Sequence, residues 1–234
     1  MTYYVADGTD PYRNLALEEL LLGAAVPGDY LLYLWQNDNT IVVGHNQDAY
    51  VECRADEFMT DGGRIARRLS GGGAVYHDLG NLNYTLIADN AVFDKQTCYD
   101  VVLRTLTSLG LQADFNGRND LTINGRKFSG NAHYDNGRVS YQHGTILVGC
   151  DIRRMTRYLT PAESKLQRNA VASVSSRVLN LSEVLPSISV ESVRSKMLEL
   201  YGTEQLVNLP DEKEIAQLAA KYASAEWIYR RIQS

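Results

Sequence analysis

Cysteine is nearly missing from this chain. Three in 234 residues, at Cys53, Cys98 and Cys150, form an odd, scattered set without Cys-x-x-Cys spacing. That argues against a disulfide framework and against a structural zinc site. Positive charge is not in excess: 23 lysines and arginines face 28 aspartates and glutamates, for a net charge of −5. General binders of nucleic acid or of membrane surfaces carry the opposite balance, so neither partner is expected, while a local basic site stays open. No run approaches the ~18 apolar residues of a membrane span. Residues 1–8 lack the basic stretch and apolar run of a secretory signal. The 15 tyrosines are scattered and form no stacking platform. A cytoplasmic, reducing location is therefore expected.

Only five prolines punctuate the chain, and no Pro/Ser-rich linker divides its first 180 residues. No repeat or low-complexity segment is visible. With 44% hydrophobic and 22% charged residues, the composition is that of a globular protein. A chain this long buries roughly 70–75% of its extended surface and needs no metal or disulfide staple. Asp10-Pro11 reads as an N-cap followed by proline at N1, opening a helix with Leu17, Leu20 and Leu21 on one face, ending near Gly23. Residues 30–35, 40–43 and 81–87 read as strands, and 94–109 as a helix with Gly110 just beyond it. Two Asn-Gly pairs, Asn124-Gly125 and Asn136-Gly137, signal hairpins of type I′. They predict an antiparallel meander of strands 121–123, 126–129, 132–135 and 138–148. From about residue 190 the periodicity is helical, carried by Val193, Met197, Ile215 and Tyr222 among others. The expected fold class is α/β (α+β), a mixed β-sheet flanked by helices. Its core would span 1–185, with 186–234 a C-terminal helical segment of the same domain.

The densest chemical signal is Arg67-Arg68-Leu69-Ser70-Gly71-Gly72-Gly73-Ala74-Val75-Tyr76-His77-Asp78-Leu79-Gly80-Asn81. Three consecutive glycines let backbone N–H groups approach an anion, and two arginines can add bidentate donors for phosphate or carboxylate. This is neither a Walker A loop nor a G-x-G-x-x-G fingerprint. A second cluster runs from Gly117 through Arg118, Asn119 and Asp120 to Lys127 and Gly130. Alternation along the strand sends Lys127 and Ser129 to one face and Arg126 and Phe128 to the other. The third cluster is Tyr141-Gln142-His143-Gly144-Thr145. Arg153, Arg154 and Arg157 read as a solvated helix face. A Ser70/His77/Asp120 triad can be assembled on paper, but Ser70 lacks the G-x-S-x-G elbow of a hydrolase. Cys150 and His143 sit seven positions apart on one strand, ~23 Å if extended, too far for a thiol–imidazole pair.

In this order the clusters resemble the catalytic domain of lipoate–protein ligases. The family's RR-x-SGGGAV-[FY]-HD-x-GN-x-N signature appears at 67–83, its GRNDL at 117–121, its K-x-SG at 127–130 and its HGT at 143–145. Its S-V-x-S-R-V-x-N-L segment corresponds to 173–181. The resemblance implies the fold shared with biotin ligases (class II synthetase-like), and two reactions. Lipoate and ATP, with Mg²⁺, give lipoyl-AMP and pyrophosphate; a lysine of a lipoyl-accepting domain then takes the lipoyl group. Such acceptors are the lipoyl domains of 2-oxoacid dehydrogenase complexes or the glycine cleavage H protein. By the same resemblance Lys127 is catalytic. Arg68, Gly73, Ala74, Val75, Tyr76, Asn119, Asp120 and Lys127 correspond to ATP- and adenylate-binding positions. Ser70, Gly71, Gly72, His77, Asn81, Lys127, His143, Gly144 and Thr145 correspond to lipoate-binding ones, and Asp120 to a Mg²⁺ contact.

The competing branch comprises octanoyl- or lipoyltransferases that pass the acyl group through a cysteine thioester. No cysteine stands at 116–121 or 131–133, where those branches place it. Two departures from the ligase pattern stand out. Residues 164–171 lack the usual Lys-Gly before the valine, and the accessory C-terminal domain of many relatives, ~90 residues, is expected to be absent. Together they predict a chain that needs a separate C-terminal partner, or a longer version of itself, for efficient adenylation.

Overall fold

The computed structural model describes residues 1–160 and 177–230, so the 164–171 segment and residues 173–176 lie outside the described residues. β1 (Thr2–Val5) leads to α1 (Pro11–Leu21). Asp10 caps that helix as its sequence predicts: its Oδ1 accepts from the N–H groups of Tyr12 (2.9 Å) and Arg13 (3.0 Å). β2 (Leu31–Trp35), β3 (Thr40–Val43), α2 (Ala49–Glu52), α3 (Ala55–Thr60), β4 (Arg64–Arg67), β5 (Val75–His77) and β6 (Asn81–Asp89) follow. Next are α4 (Lys95–Ser108), β7 (Asp114–Phe115), β8 (Asp120–Ile123), β9 (Arg126–Asp135), β10 (Val139–Leu147) and α5 (Ile152–Tyr158). The last described elements are α6 (Val190–Tyr201), β11 (Glu204–Gln205), α7 (Glu212–Ala223) and α8 (Ala225–Ile228). None of the described helices is long and apolar enough to cross a membrane.

The fold is the expected mixed α/β architecture. A large sheet has the order β11-β1-β2-β6-β10-β9-β8-β7, and a small one the order β4-β3-β5. β1 pairs in parallel with β11 and β2; the other neighbours in the large sheet are antiparallel. The meander differs from expectation. The predicted strands 126–129 and 132–135 are one strand, β9, which pairs with β8 through its first half and with β10 through its second. Asn124 (φ 52°) and Gly125 (φ 75°) both adopt the left-handed region, as a type I′ turn requires. At the second Asn-Gly only Gly137 does so, and the Asn136 side chain accepts from the N–H groups of Arg138 and Val139 instead.

Period-2 alternation explains how the large sheet is buried on both faces. Leu32 and Leu34 of β2, with Leu82, Tyr84 and Leu86 of β6, pack against Val101, Val102 and Leu106 of α4 and Val193 and Met197 of α6. Leu31, Tyr33 and Trp35 face the other way, toward Leu15, Ala16 and Leu17 of α1 and Ile215 and Tyr222 of α7. On that second face β6 presents Asn81, Asn83 and Thr85, all buried, and neighbouring β10 presents His143 and Thr145. A buried strand face this polar is costly unless its groups are hydrogen-bonded or serve a ligand.

Candidate active site

Between that polar face, the small sheet and α1 lies a cavity of about 330 Å³. Many of the sequence-predicted residues meet there. Arg68, Gly72, Gly73, Ala74, Val75 and His77 line it from the small sheet and its loop. Asn119, Asp120 and Lys127 line it from β8, β9 and the turn before them, and His143, Gly144 and Thr145 from β10. Four predicted positions are not among the lining residues. Ser70 sits behind His143, Gly71 borders a neighbouring pocket, Asn81 is buried beside Asn83, and Tyr76 packs on the opposite side of β5 against Phe58. Alternation along β5 accounts for the last: Val75 and His77 face the cavity, so Tyr76 cannot.

The glycine loop is held by charged groups that spend their hydrogen bonds on backbone. Buried Arg68 donates through Nη1 to the carbonyl of Val42 (2.9 Å), and through Nη2 to the carbonyls of Gly71 (2.7 Å) and Gly73 (2.8 Å). Its Nε donates to Ser70 Oγ (3.0 Å). Burial lowers this guanidinium's pKa to about 10. Glu52 completes the loop's support, its Oε2 accepting from the N–H of Ala74 (3.0 Å). Arg67 differs from the sequence-based idea of a second anion-binding arginine. It is fully buried and donates to the carbonyls of Gly44, His45, Gln47, Trp227 and Ile228, so it clamps α8 to the small sheet.

Behind the cavity runs a relay that sequence reasoning missed. Ser70 Oγ lies 2.7 Å from His143 Nε2, and His143 Nδ1 lies 2.8 Å from Glu18 Oε1. The same carboxylate oxygen accepts from Thr85 Oγ1 (2.6 Å), which accepts from Trp35 Nε1 (3.0 Å). A carboxylate only accepts, so His143 Nδ1–H donates to Glu18, while Ser70 Oγ, which also accepts from Arg68, shares a hydrogen bond with His143 Nε2. The paper triad of Ser70, His77 and Asp120 is thus replaced by Ser70, His143 and Glu18. Glu18 reads in sequence as an ordinary helix-surface glutamate; only the packing of α1 beneath the sheet buries it to 2% exposure.

Lys127 and Asp120 occupy the more exposed part of the cavity wall, with Nζ 2.7 Å from Oδ1 and side chains 39% and 32% exposed. Ser129 does not share their surroundings, contrary to strict alternation. The β8–β9 register shifts between Leu121 and Thr122, leaving Phe128 unpaired, and Phe128 and Ser129 are both fully buried. The Lys127 side chain lies across Gly130: a Cβ there would come within 2.7 Å of Nζ. His77, 3% exposed, is kept neutral, its pKa lowered to about 3 by burial and then by Arg68 and His143. No cysteine lines the cavity. Burial raises the thiol pKa values of Cys53 and Cys98 to about 12, and that of Cys150 upward as well. Among the described residues no three His, Cys, Asp or Glu side chains are grouped to hold a metal.

Comparison with known proteins places this arrangement. P. falciparum LipL1, solved in complex with lipoate, is similar over 100% of this chain and 75% of its own, at 28% identity and a TM-score of 0.82. A bi-partite lipoate protein ligase from Thermoplasma acidophilum, studied with its E2 lipoyl domain, is similar over 100% of this chain and 98% of its own, at 26% identity and a TM-score of 0.83. A lipoate-protein ligase A bound with ATP shares the fold at 24% identity and a TM-score of 0.79, over 98% of this chain and 99% of that one. The family model for the lipoyl protein ligase A/B catalytic domain matches residues 10–201, which take in the glycine loop, the lysine strand and the histidine strand, and the chain belongs to that family.

Proposed function

We propose that this chain is a lipoate–protein ligase that joins lipoate to ATP as lipoyl-AMP and passes the lipoyl group to a lysine of an acceptor domain. The observation that carries the reading is one cavity with two characters. Leu15, Trp35 and Val42 offer apolar wall for an acyl chain, while Lys127 and Asp120 stand on its more exposed part, where a carboxylate would meet a nucleotide. A lipoate carboxylate oxygen attacks the α-phosphorus and pyrophosphate leaves. The acceptor amine then attacks the acyl carbon, AMP leaves and the ammonium loses its proton. Both steps build negative charge on oxygens that the Lys127 ammonium can meet, and a fixed donor of that kind is worth about 3–4 kcal/mol. Arg68 supports the site by holding the glycine loop open to anions through the carbonyls it ties down. Mg²⁺ typically binds through one or two carboxylates plus substrate phosphates, and Asp120 is the acidic side chain lining the cavity that fits that role. When bound, the ion would neutralise charge on the phosphates.

The absence of cysteine from the cavity wall favours the ligase over a thioester-forming acyltransferase. Likeness along 98% of a bi-partite ligase chain favours an accessory subunit for the adenylation step. The acceptors fitting this chemistry are lipoyl domains of 2-oxoacid dehydrogenase complexes or the glycine cleavage H protein, met in the cytoplasm. The test incubates the chain with an acceptor domain and lipoate, supplying ATP–Mg²⁺ in one arm and pre-made lipoyl-AMP in the other. A mass gain of lipoate less water on the acceptor lysine is expected in the lipoyl-AMP arm, and in the ATP arm once the accessory subunit is present. No gain in either arm rejects the ligase, and equal turnover in both without a partner rejects the subunit requirement.

A further inference from the structure

β9 changes partners partway along its length. Its first half pairs with β8 as far as Asp120 opposite Gly130, and one more bond on that side runs from Asn131 N–H to the Asn119 carbonyl (2.9 Å). Its second half, through Asp135, pairs with β10 alone. The ladder fixes which groups that half leaves over. Asn136 N–H donates to the Val139 carbonyl (3.2 Å), so the hydrogen-bonded pairs continue as Tyr134 with Tyr141 and Ala132 with His143. β10 alternates to match, its Arg138 carbonyl accepting from Asn90 N–H (2.9 Å) on the β6 side. The N–H and C=O groups of His133 and Asp135 therefore point away from β10. Among the described residues they have no hydrogen-bond partner.

This open edge is accessible: residues 131–134 are half-buried and Asp135 is exposed. An unpaired row of backbone groups is a template for a further strand, and proteins commonly blunt it with lysine, proline or a bulge. Residues 132–135 are Ala-His-Tyr-Asp, without lysine or proline, and the one break in register lies earlier, against β8. The edge also leads to the chemistry. Ala132 and His133 line a second pocket of about 260 Å³ together with Gly71 and Gly72. That pocket shares Gly72, Asn119, Asn131 and Ala132 with the main cavity, so the two are continuous. A Cβ on Gly71 would meet nothing within 4 Å, which leaves room beside the loop. Gly130, over which Lys127 lies, is three residues back along the strand from His133, ~10 Å away.

We propose that the open edge of β9 is the docking strand for the acceptor. An extended segment beside the target lysine adds to it as a further β-strand, bonds the free groups of His133 and Asp135, and leads the lysine through the second pocket toward Lys127. The assignment rests on the ligase reading above, which requires an acceptor amine to reach the acyl carbon in this cavity. A main chain that leaves water must find new partners for its N–H and C=O groups, and the edge offers both kinds at strand spacing. Such pairing binds through backbone, with little demand on side chains, so one edge serves acceptors of differing sequence. It also sets a register, because the position of the lysine along the added strand decides whether its amine arrives at the cavity.

Backbone hydrogen exchange, followed by NMR on the natural chain, tests the edge without any variant. The probe is an unlipoylated E2 lipoyl domain, with neither lipoate nor ATP present. In the free chain the amides of His133 and Asp135 should exchange fast and that of Asn131 slowly. A saturating amount of lipoyl domain should slow the first two about tenfold or more. A second arm measures transfer from pre-made lipoyl-AMP by the natural chain, His133→Pro and His133→Ala. Proline at an outward-facing N–H costs the free sheet no ladder bond but removes a donor from the docked one. The KM for the lipoyl domain should rise about tenfold in His133→Pro, with lipoyl-AMP formation unchanged, and should hold in His133→Ala, which keeps the N–H. Unslowed amides at saturation overturn the proposal, as does an unchanged KM in a folded His133→Pro. An equal rise in His133→Ala overturns it too, because the side chain would then carry the binding. Slowing by the chain's own concentration, or by the accessory subunit alone, assigns the edge to that occupant and overturns it as well. A chain that shows the slowing yet neither makes nor uses lipoyl-AMP rejects the ligase reading and leaves the docking strand standing.

Discussion

Lys127 carries the heaviest chemical demand on a single side chain, and its setting makes a sharp test. Its ammonium is paired with Asp120 and laid over Gly130, so removing it strips charge from the cavity without opening the core. Lys127→Met should lower adenylate formation by 10²–10³, about 3–4 kcal/mol, with an unchanged unfolding midpoint; single-turnover lipoyl-AMP formation is the measurement. Near-normal rates would remove Lys127 from the reaction. The cysteines predict the reverse. All three are buried and their thiols are pushed upward, so at neutral pH they are neither accessible nor ionised. Iodoacetamide should label none in the native protein and all three after unfolding, and a folded Ser/Ala triple variant should keep ATP-dependent lipoylation. An acyl-thioester on any cysteine, detected by mass spectrometry, would point to the acyltransferase branch instead.

At the scale of elements, the clamp by Arg67 joins parts of the chain that are far apart in sequence. Its guanidinium ties α8 to the segment after β3, and Trp227 returns a bond from its Nε1 to the Arg67 carbonyl (3.0 Å). Neither lysine nor an apolar residue reproduces that planar fork. Arg67→Met should strand several buried carbonyls and cost at least about 3 kcal/mol, read as a lower urea midpoint. An unchanged midpoint would mean that α8 is held by other contacts. β9 shows how one irregularity re-aims chemistry: the bulge at Phe128 buries Ser129 and leaves Lys127 turned toward Asp120.

Across the whole molecule, histidines whose pKa values the fold lowers couple folding to pH. His45, His77 and His133 all have lowered pKa values, chiefly through burial, with His77 down to about 3. An unfolded chain takes up a proton at each below about pH 6.5, and the folded protein refuses it. Stability is therefore complete above about pH 6.5 and is lost as pH falls, down to the folded value. For His77 alone the loss is about 3 kcal/mol between pH 6.5 and pH 4. Urea unfolding across that range should show the slope, and His77→Gln should flatten it. A variant as acid-sensitive as the natural chain would show that His77 does not stay neutral in the fold.

Local rules in the sequence settled much of this. Asp10-Pro11 capped α1 and Asn124-Gly125 turned β8 into β9, because caps and tight turns depend only on neighbours in the chain. The glycine loop, Lys127 and the His143 strand were legible because their residue types and spacing are unusual. What stayed hidden was every partner supplied from elsewhere in the chain. Glu18 is buried because α1 lies under β6 and β10, and it meets His143 across 125 positions. Arg67 and Arg68 look equivalent in sequence, yet alternation along β4 and the loop beyond it sends one to α8 and the other to the cavity. The polar face of β6 was written as Asn81-Leu82-Asn83-Tyr84-Thr85, but only the sheet order shows which side of it closes on a cavity. Sequence determines what each segment can do over a few residues; burial, charge pairing and the neutral state of His77 are properties of groups that only the tertiary fold brings together.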